Sequence, residues 1–231
     1  MSVKIEKKAN VILADPNWAY QNFTDKAHGA AISHYQTAGL AALEELKGTV
    51  QDLADDNCVL GLWGCWPKAD ENHRLYSSWG FDYVTGFPWV KVLPEQGTIR
   101  RGIGFWTQGA SEFLSICRQG SPRRGKLPGK QVMGLLVGED RQFYDRIQAH
   151  SVKPYGVHEW LEELFPDAMR IELFATQARP GWLCLGHKTG YHLAPTGVYL
   201  LSEAREAGLV PKDYDPDSWT PGSRPPVIRP V

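Results

Sequence analysis

Residues 11–18 read Val11-Ile12-Leu13-Ala14-Asp15-Pro16-Asn17-Trp18. Four apolar residues with no polar alternation are the pattern of a strand buried on both faces of a parallel sheet. Pro16 has no amide hydrogen and stops the ladder there. Asp15 is thereby delivered to the carboxyl edge of a sheet, where open α/β folds bind their ligands. Taken alone, the last four residues also fit an ordinary Asp-Pro turn or a helix cap, so their reading depends on what surrounds them.

Outward from this strand, the residues at 40, 43, 46, 50 and 53 are apolar at helical spacing and predict a helix over 40–53. A second buried strand is expected over 57–66, ended by Pro67, then a polar helix over 68–79 and a strand-rich stretch over 80–92. Further strands are expected over 111–118, 169–175 and 182–186, with a helix over 157–164 ended by Pro166. Strands alternating with helices imply parallel crossovers and an α/β class. Residues 19–33 and 93–108 read as loops. The character changes near residue 194, so we expect one domain over 1–193 and an extension over 194–231 whose end is rich in proline.

With 231 residues, 42% of them hydrophobic and 22% charged, the chain has the composition of a globular protein with one large core. A net charge of -1 means that contact with nucleic acid must come from local basic clusters. Two such clusters exist: Arg100 and Arg101, and the acid-free loop holding Arg123, Arg124, Lys126 and Lys130. Such loops neutralise phosphates or are simply solvated. No apolar run approaches the roughly 20 residues that span a bilayer, and the first residues lack a signal-peptide core, so a cytoplasmic protein with no membrane association is expected. The 4 cysteines form no C-x-x-C pair and the 7 histidines no H-E-x-x-H, which disfavours a metal enzyme and predicts buried free thiols.

Several stretches then agree with one pattern, in one order: Ala-Asp-Pro-Asn-Trp ending at Trp18, Ser-His-Tyr-Gln-Thr with His34 and Tyr35, Phe-Pro-Trp-Val-Lys, Gly-Ile-Gly-Phe-Trp-Thr-Gln-Gly-Ala-Ser-Glu-Phe-Leu, His-Ser-Val-Lys-Pro with Lys153, Ile-Glu-Leu-Phe-Ala, and Arg-Pro-Gly-Trp. The set resembles the adenine-N(6) methyltransferases related to the catalytic subunit of the eukaryotic messenger-RNA N(6)-adenosine methyltransferase, with their bacterial and phage members, over roughly residues 11 to 190. The resemblance implies a Rossmann-like fold in permuted order, a mostly parallel central sheet with helices on both faces, and S-adenosylmethionine as cofactor. It implies that Asp15 and the Pro16 carbonyl hold the hydrogens of an exocyclic adenine amine, with Asn17 completing the tetrapeptide and Trp18 stacked on a base that is flipped out or single-stranded. His34 and Tyr35 would flank the base, or merely pack their loop. Lys153 would pair with a carboxylate near the methionine end of the cofactor or the reacting groups, the alternative being a solvent-facing lysine. Phe174, Thr176, His187 and Lys188, with Asp15, would line the cofactor, while Glu172 is open between that neighbourhood and the surface.

The chain departs from the family at four places. Asn17 stands for a second proline, Thr176 for a common arginine, Tyr155-Gly156 for Asp-Glu, and Gly186-His187-Lys188 for Gly-Asn-Glu or Gly-Asn-Gln. The chain also begins too close to Asp15 to supply the upstream segment that helps hold the cofactor's adenine in eukaryotic members. The implied function is methylation of the N(6) amine of adenine in DNA, by a monomer or homodimer. The alternatives are RNA adenine as substrate, or a binding subunit that kept the fold, lost catalysis and works with a partner subunit.

Overall fold

The structure is a computed structural model that describes residues 2–18, 39–91, 98–99, 106–123, 153–154 and 156–210. Its centre is a six-stranded sheet built from β1 (Ala9–Ala14), β2 (Ala54–Cys65), β3 (Asp82–Val90), β4 (Ser111–Gln119), β5 (Arg170–Leu173) and β6 (Leu183–Leu185), in the spatial order β3-β4-β2-β1-β5-β6. β1 pairs in parallel with β2 on one side and β5 on the other, and β5 in parallel with β6. The unalternating run 11–14 is therefore central, and its residues are at most 1% exposed.

The sheet is mostly parallel, as expected, and β4 is the strand that departs from this, running antiparallel to both β2 and β3. The helical crossover after β2 places β3 one slot away, and β4 returns in the opposite direction into the gap. Pro88 lies in β3, where an outer strand tolerates a residue without an amide hydrogen.

Alternate residues of β1 feed two cores. Ile12 and Ala14 join Leu60, Leu62, Ile171 and Leu173 beneath α1 (Leu40–Glu44), α2 (Lys47–Leu53) and α3 (Ala69–Ser78). Val11 and Leu13 join Val59, Trp63, Trp89 and Leu114 beneath α4 (Gly156–Leu164), whose Val157, Leu161 and Leu164 face the sheet. The helix expected over 40–53 is split at Glu45 and Leu46 into α1 and α2, which keep the apolar stripe Leu43, Leu46, Val50 and Leu53 on the core. Hydrogen bonds tie the helices to each other and to the sheet inside the first core: Trp79 Nε1 donates to the Leu43 carbonyl at 2.8 Å, and Asn72 donates to the Trp63 carbonyl at 3.3 Å while accepting from Ser115 Oγ at 2.8 Å. All four cysteines are buried thiols outside any disulfide, and burial pushes Cys58 and Cys117 up to about 12.

A hairpin of β7 (Tyr191–Ala194) and β8 (Gly197–Leu200), followed by α5 (Leu201–Glu206), spans the expected junction at 193–194. It is tied to the body where Thr49 Oγ1 donates to the Ala194 carbonyl and where Val198 enters the first core. Residues 211–231, read as the proline-rich tail, lie outside the described residues.

Candidate active site

Strand directions bring the carboxyl ends of β1, β2, β3, β5 and β6 and the amino end of β4 to one edge of the sheet. Register fixes this: Ala14 is opposite Leu62 and Leu173, Cys65 is opposite Glu112, and Val90 is opposite Ser111. Four charged side chains meet there. Lys153 Nζ lies 2.7 Å from Asp15 Oδ2 and 3.3 Å from Glu112 Oε2, and Glu112 Oε1 accepts in turn from Lys91 Nζ at 2.5 Å. The two ammonium groups also rest near indoles, Lys153 Nζ 5.7 Å from the Trp63 ring centre and Lys91 Nζ 5.1 Å from that of Trp89. The two indoles pack edge to face at 6.0 Å and form the apolar floor.

The titration of these groups follows from how the charges are shared. Burial lowers the affinity of Lys153 for its proton, but the Asp15 and Glu112 carboxylates outweigh it and raise the ammonium above its usual range. Burial alone would raise Glu112, yet it has two cations, Lys153 and Lys91, and is held low. Asp15 has only a share of Lys153. Burial therefore wins, helped by the Glu112 and Glu172 charges, and its carboxyl is held above the ordinary aspartate value. The edge thus presents one carboxylate whose charge the protein compensates incompletely.

Three turns close around Asp15. Its backbone N–H donates to the Leu173 carbonyl, and Ala175 N–H to the Leu185 carbonyl, so the ends of β1, β5 and β6 are stitched together. Phe174 sits between them with φ 63°, a left-handed conformation that costs a residue with a Cβ on the order of 1 kcal/mol and that concentrates at functional sites. Gly186 passes so close that a Cβ there would fall 2.3 Å from the Ala175 carbonyl oxygen. The 3-10 turn His187–Thr189 follows, with Thr189 Oγ1 accepting from Gly186 N–H at 3.0 Å.

The structure brings together Asp15, Pro16, Lys153, Phe174 and the Gly186-His187 turn. Pro16 is buried, while Asn17, Thr176 and Lys188 are exposed at the same edge. Glu172 is half-buried and its Oε2 lies 3.0 Å from His158 Nε2, so it is not a surface residue. Trp18 corrects an expectation. It is 6% exposed, packed in the first core, and its Nε1 donates to the Trp63 carbonyl at 3.2 Å. An indole at a strand end can face solvent or close the core, and here it closes the core, so its ring does not present a stacking face. Lys153 pairs with the protein's own carboxylates Asp15 and Glu112 and is not a solvent-facing lysine. His34, Tyr35, Arg100, Arg101, Arg124, Lys126 and Lys130 lie outside the described residues, and Arg123 is exposed just after β4. Among the described residues there is no group of three or more His, Cys, Asp or Glu side chains able to hold a metal ion, and no helix long and apolar enough to cross a membrane.

Sequence reading missed Glu112, Lys91 and Trp63. The first two stand inside quoted motifs, but only the antiparallel pairing of β3 with β4, which sets Trp89 opposite Glu112, shows that they meet.

His187 also behaves differently from a solvent-facing ribose contact. Its Nε2 lies 2.9 Å from His192 Nδ1, the rings stack at 5.2 Å, and burial, then the neighbouring imidazole and Arg205, push it down to about 4. A histidine at 6.5 unfolded and about 4 folded adds stability that is complete above pH 6.5 and is lost as pH falls through that window. Between pH 7 and pH 5 urea unfolding should show a loss of about 1–2 kcal/mol from this group. His187→Gln should remove that part of the slope, and an unchanged slope would refute the assignment.

Comparison with known proteins agrees with the geometry. A family model described as MT-A70 matches residues 9–188. The type II methyltransferase M.MunI of Mycoplasma sp is 29% identical over 195 residues, covering 76% of this chain and 76% of its own length. The N(6)-adenosine-methyltransferase subunit METTL3 of Danio rerio is 27% identical over 203 residues, covering 84% of this chain and 30% of its own. The human catalytic subunit METTL3 is 25% identical over 223 residues, covering 92% and 34%. The chain thus spans about a third of the length of these two eukaryotic relatives. The family match runs from the first residue of β1 to the turn after β6 and includes all four charged residues that meet at the sheet edge, and by that match the chain belongs to the MT-A70 family.

Proposed function

We propose that this protein transfers a methyl group from S-adenosylmethionine to the exocyclic N(6) amine of adenine in DNA. The observation that carries this reading is Asp15: an acid at the end of the central strand, inside the family's tetrapeptide, oriented by Lys153 and incompletely compensated in charge. That residual negative charge fits a cationic sulfonium, and the turns at Phe174 and Gly186-His187 are the segments that would hold the cofactor beside it. When bound, S-adenosylmethionine supplies an electrophilic methyl group.

The remaining work falls to the chain. An adenine amine is a weak nucleophile because its lone pair is delocalised into the ring. Lys153 fixes Asp15 Oδ2, which orients the carboxylate to accept an amine hydrogen, and with the Pro16 carbonyl as second acceptor the nitrogen is drawn toward a tetrahedral shape. The alkylated amine must then shed a proton. Asp15, whose carboxyl is held above its usual range, is placed to accept it.

DNA is preferred to RNA because the type II methyltransferase and this chain each cover about three quarters of the other, whereas the METTL3 relatives are much longer. Labelled-methyl transfer to single- and double-stranded DNA and RNA, followed by mass spectrometry of the nucleosides, tests both points. N(6)-methyladenine from DNA supports the reading, methylation of RNA alone moves it to RNA, and a different methylated base overturns it. The engagement of His187 with His192 favours a second reading, a nucleic-acid-binding subunit without transfer. Calorimetric titration separates the two, since absence of heat at millimolar S-adenosylmethionine supports the second.

Nucleic-acid binding in this reading uses the basic segment that begins at Arg123. Replacing Arg123 and Arg124 by Ala should weaken binding at every sequence and reduce the salt slope by about one unit for each phosphate that is no longer neutralised. An unchanged slope in a salt titration would return this segment to the solvated surface.

A further inference from the structure

Trp66 stands at the carboxyl end of β2, in the 3-10 turn Trp66–Lys68, with 54% of its surface exposed. The ring is fixed rather than loose: its Nε1 donates to Ser111 Oγ at 2.8 Å, and its centre lies 4.9 Å from that of Phe113 at a tilt of 45°. Gly64 permits the arrangement, because a Cβ there would fall 2.6 Å from the Phe113 ring. Trp66 is also one residue past Cys65, which pairs with Glu112, so it borders the charged quartet. Ser111 and Phe113 alternate with Glu112 along β4, and their side chains therefore emerge on the opposite face of the sheet. The exposed indole and the Asp15–Lys153–Glu112 group share one edge and lie on its two sides.

An adenine that reaches Asp15 must leave its stack, and the base beside it then loses a stacking neighbour. A rigid indole face across the edge can replace that neighbour without ordering cost, at about 1–3 kcal/mol per base. The buried Trp18 leaves that role unfilled on its own side of the edge.

We propose that the exposed face of Trp66 is a stacking platform for an unpaired nucleobase flanking the target adenine. This rests on the nucleic-acid reading of the same edge. It makes Trp66 a substrate-positioning residue, with Ser111 and Phe113 holding the ring.

The test uses the full chain, a fluorescein-labelled single-stranded oligonucleotide carrying one adenine, and versions with 2-aminopurine at, before or after that adenine. Trp66→Ala should raise the oligonucleotide Kd by anisotropy, and KM for transfer, by about 5- to 100-fold. Trp66→Phe should recover most of the loss, and calorimetric affinity for S-adenosylmethionine should stay as in the wild type. Quenching of 2-aminopurine should occur at one flanking position and vanish in Trp66→Ala. An active wild type beside a Trp66→Ala protein with unchanged Kd, KM and quenching overturns the platform alone. A wild type that neither binds nor methylates any nucleic acid overturns the underlying reading, and the platform with it. Equal weakening of cofactor affinity in Trp66→Ala would show a structural role instead and also reject the platform.

Discussion

Asp15→Asn is expected to reduce methyl transfer by about 100- to 1,000-fold while leaving a folded protein. The magnitude is that of removing one preorganised group aimed at charge that develops in the transition state. The amide is nearly the same shape but offers a neutral acceptor, which holds an amine hydrogen less firmly and cannot take up a proton. The fold survives because Lys153 keeps Glu112 at 3.3 Å, so its ammonium is not left buried and alone. The pH profile sharpens the prediction. The ionised carboxylate is the working form and its carboxyl is held above the ordinary aspartate value by burial, so the acid limb of kcat/KM should lie above that value. Single-turnover assays across pH would show the limb in the wild type. An Asp15→Asn enzyme at wild-type speed, with the same limb, would remove Asp15 from the chemistry.

Lys153→Met is expected to cost the fold about 3–5 kcal/mol, the usual consequence of stripping the cation from buried carboxylates. Methionine fills the space of the lysine stem but leaves Asp15 and Glu112 facing each other with Lys91 as their remaining cation. The two proteins should also differ in their pH dependence. In the wild type Glu112 is held low, so its contribution is present above its ordinary value of 4.5 and is lost as pH falls through the depressed one. In the variant the like charges raise Asp15 further, and a raised carboxyl gains stability as pH falls toward it. Urea midpoints for the two proteins should therefore converge on acidification from pH 8 to pH 5. A variant that loses less than about 1 kcal/mol, with no convergence, would mean that Lys153 is a surface lysine.

The legible part of the structure was the part written in local pattern. The run 11–14, without alternation, marks a strand covered on both faces, and Pro16 marks its end, which places Asp15 at the edge before any coordinates are known. The antiparallel insertion of β4 was not legible. Ser111-Glu112-Phe113-Leu114 has the composition of a strand but carries no sign of direction, and direction decides whether Glu112 reaches Lys153 or the far end of the sheet. Trp18 illustrates a different gap. A large ring after a turn satisfies either solvent-side stacking or core closure, and which one wins depends on whether a carbonyl, here that of Trp63, is waiting for its N–H.

The pairing of Ile12 with Ile171 has a consequence for how the chain is made. During synthesis the first strand emerges early, apolar on both faces, and finds β2 on one flank, while the other flank waits until residues 170–173 leave the ribosome. Nascent or prematurely terminated chains hold an open, sticky ladder in that interval, a template for aggregation. Slow maturation and dependence on holdase chaperones are the expected cost of leaving one flank of the first strand open until β5 arrives.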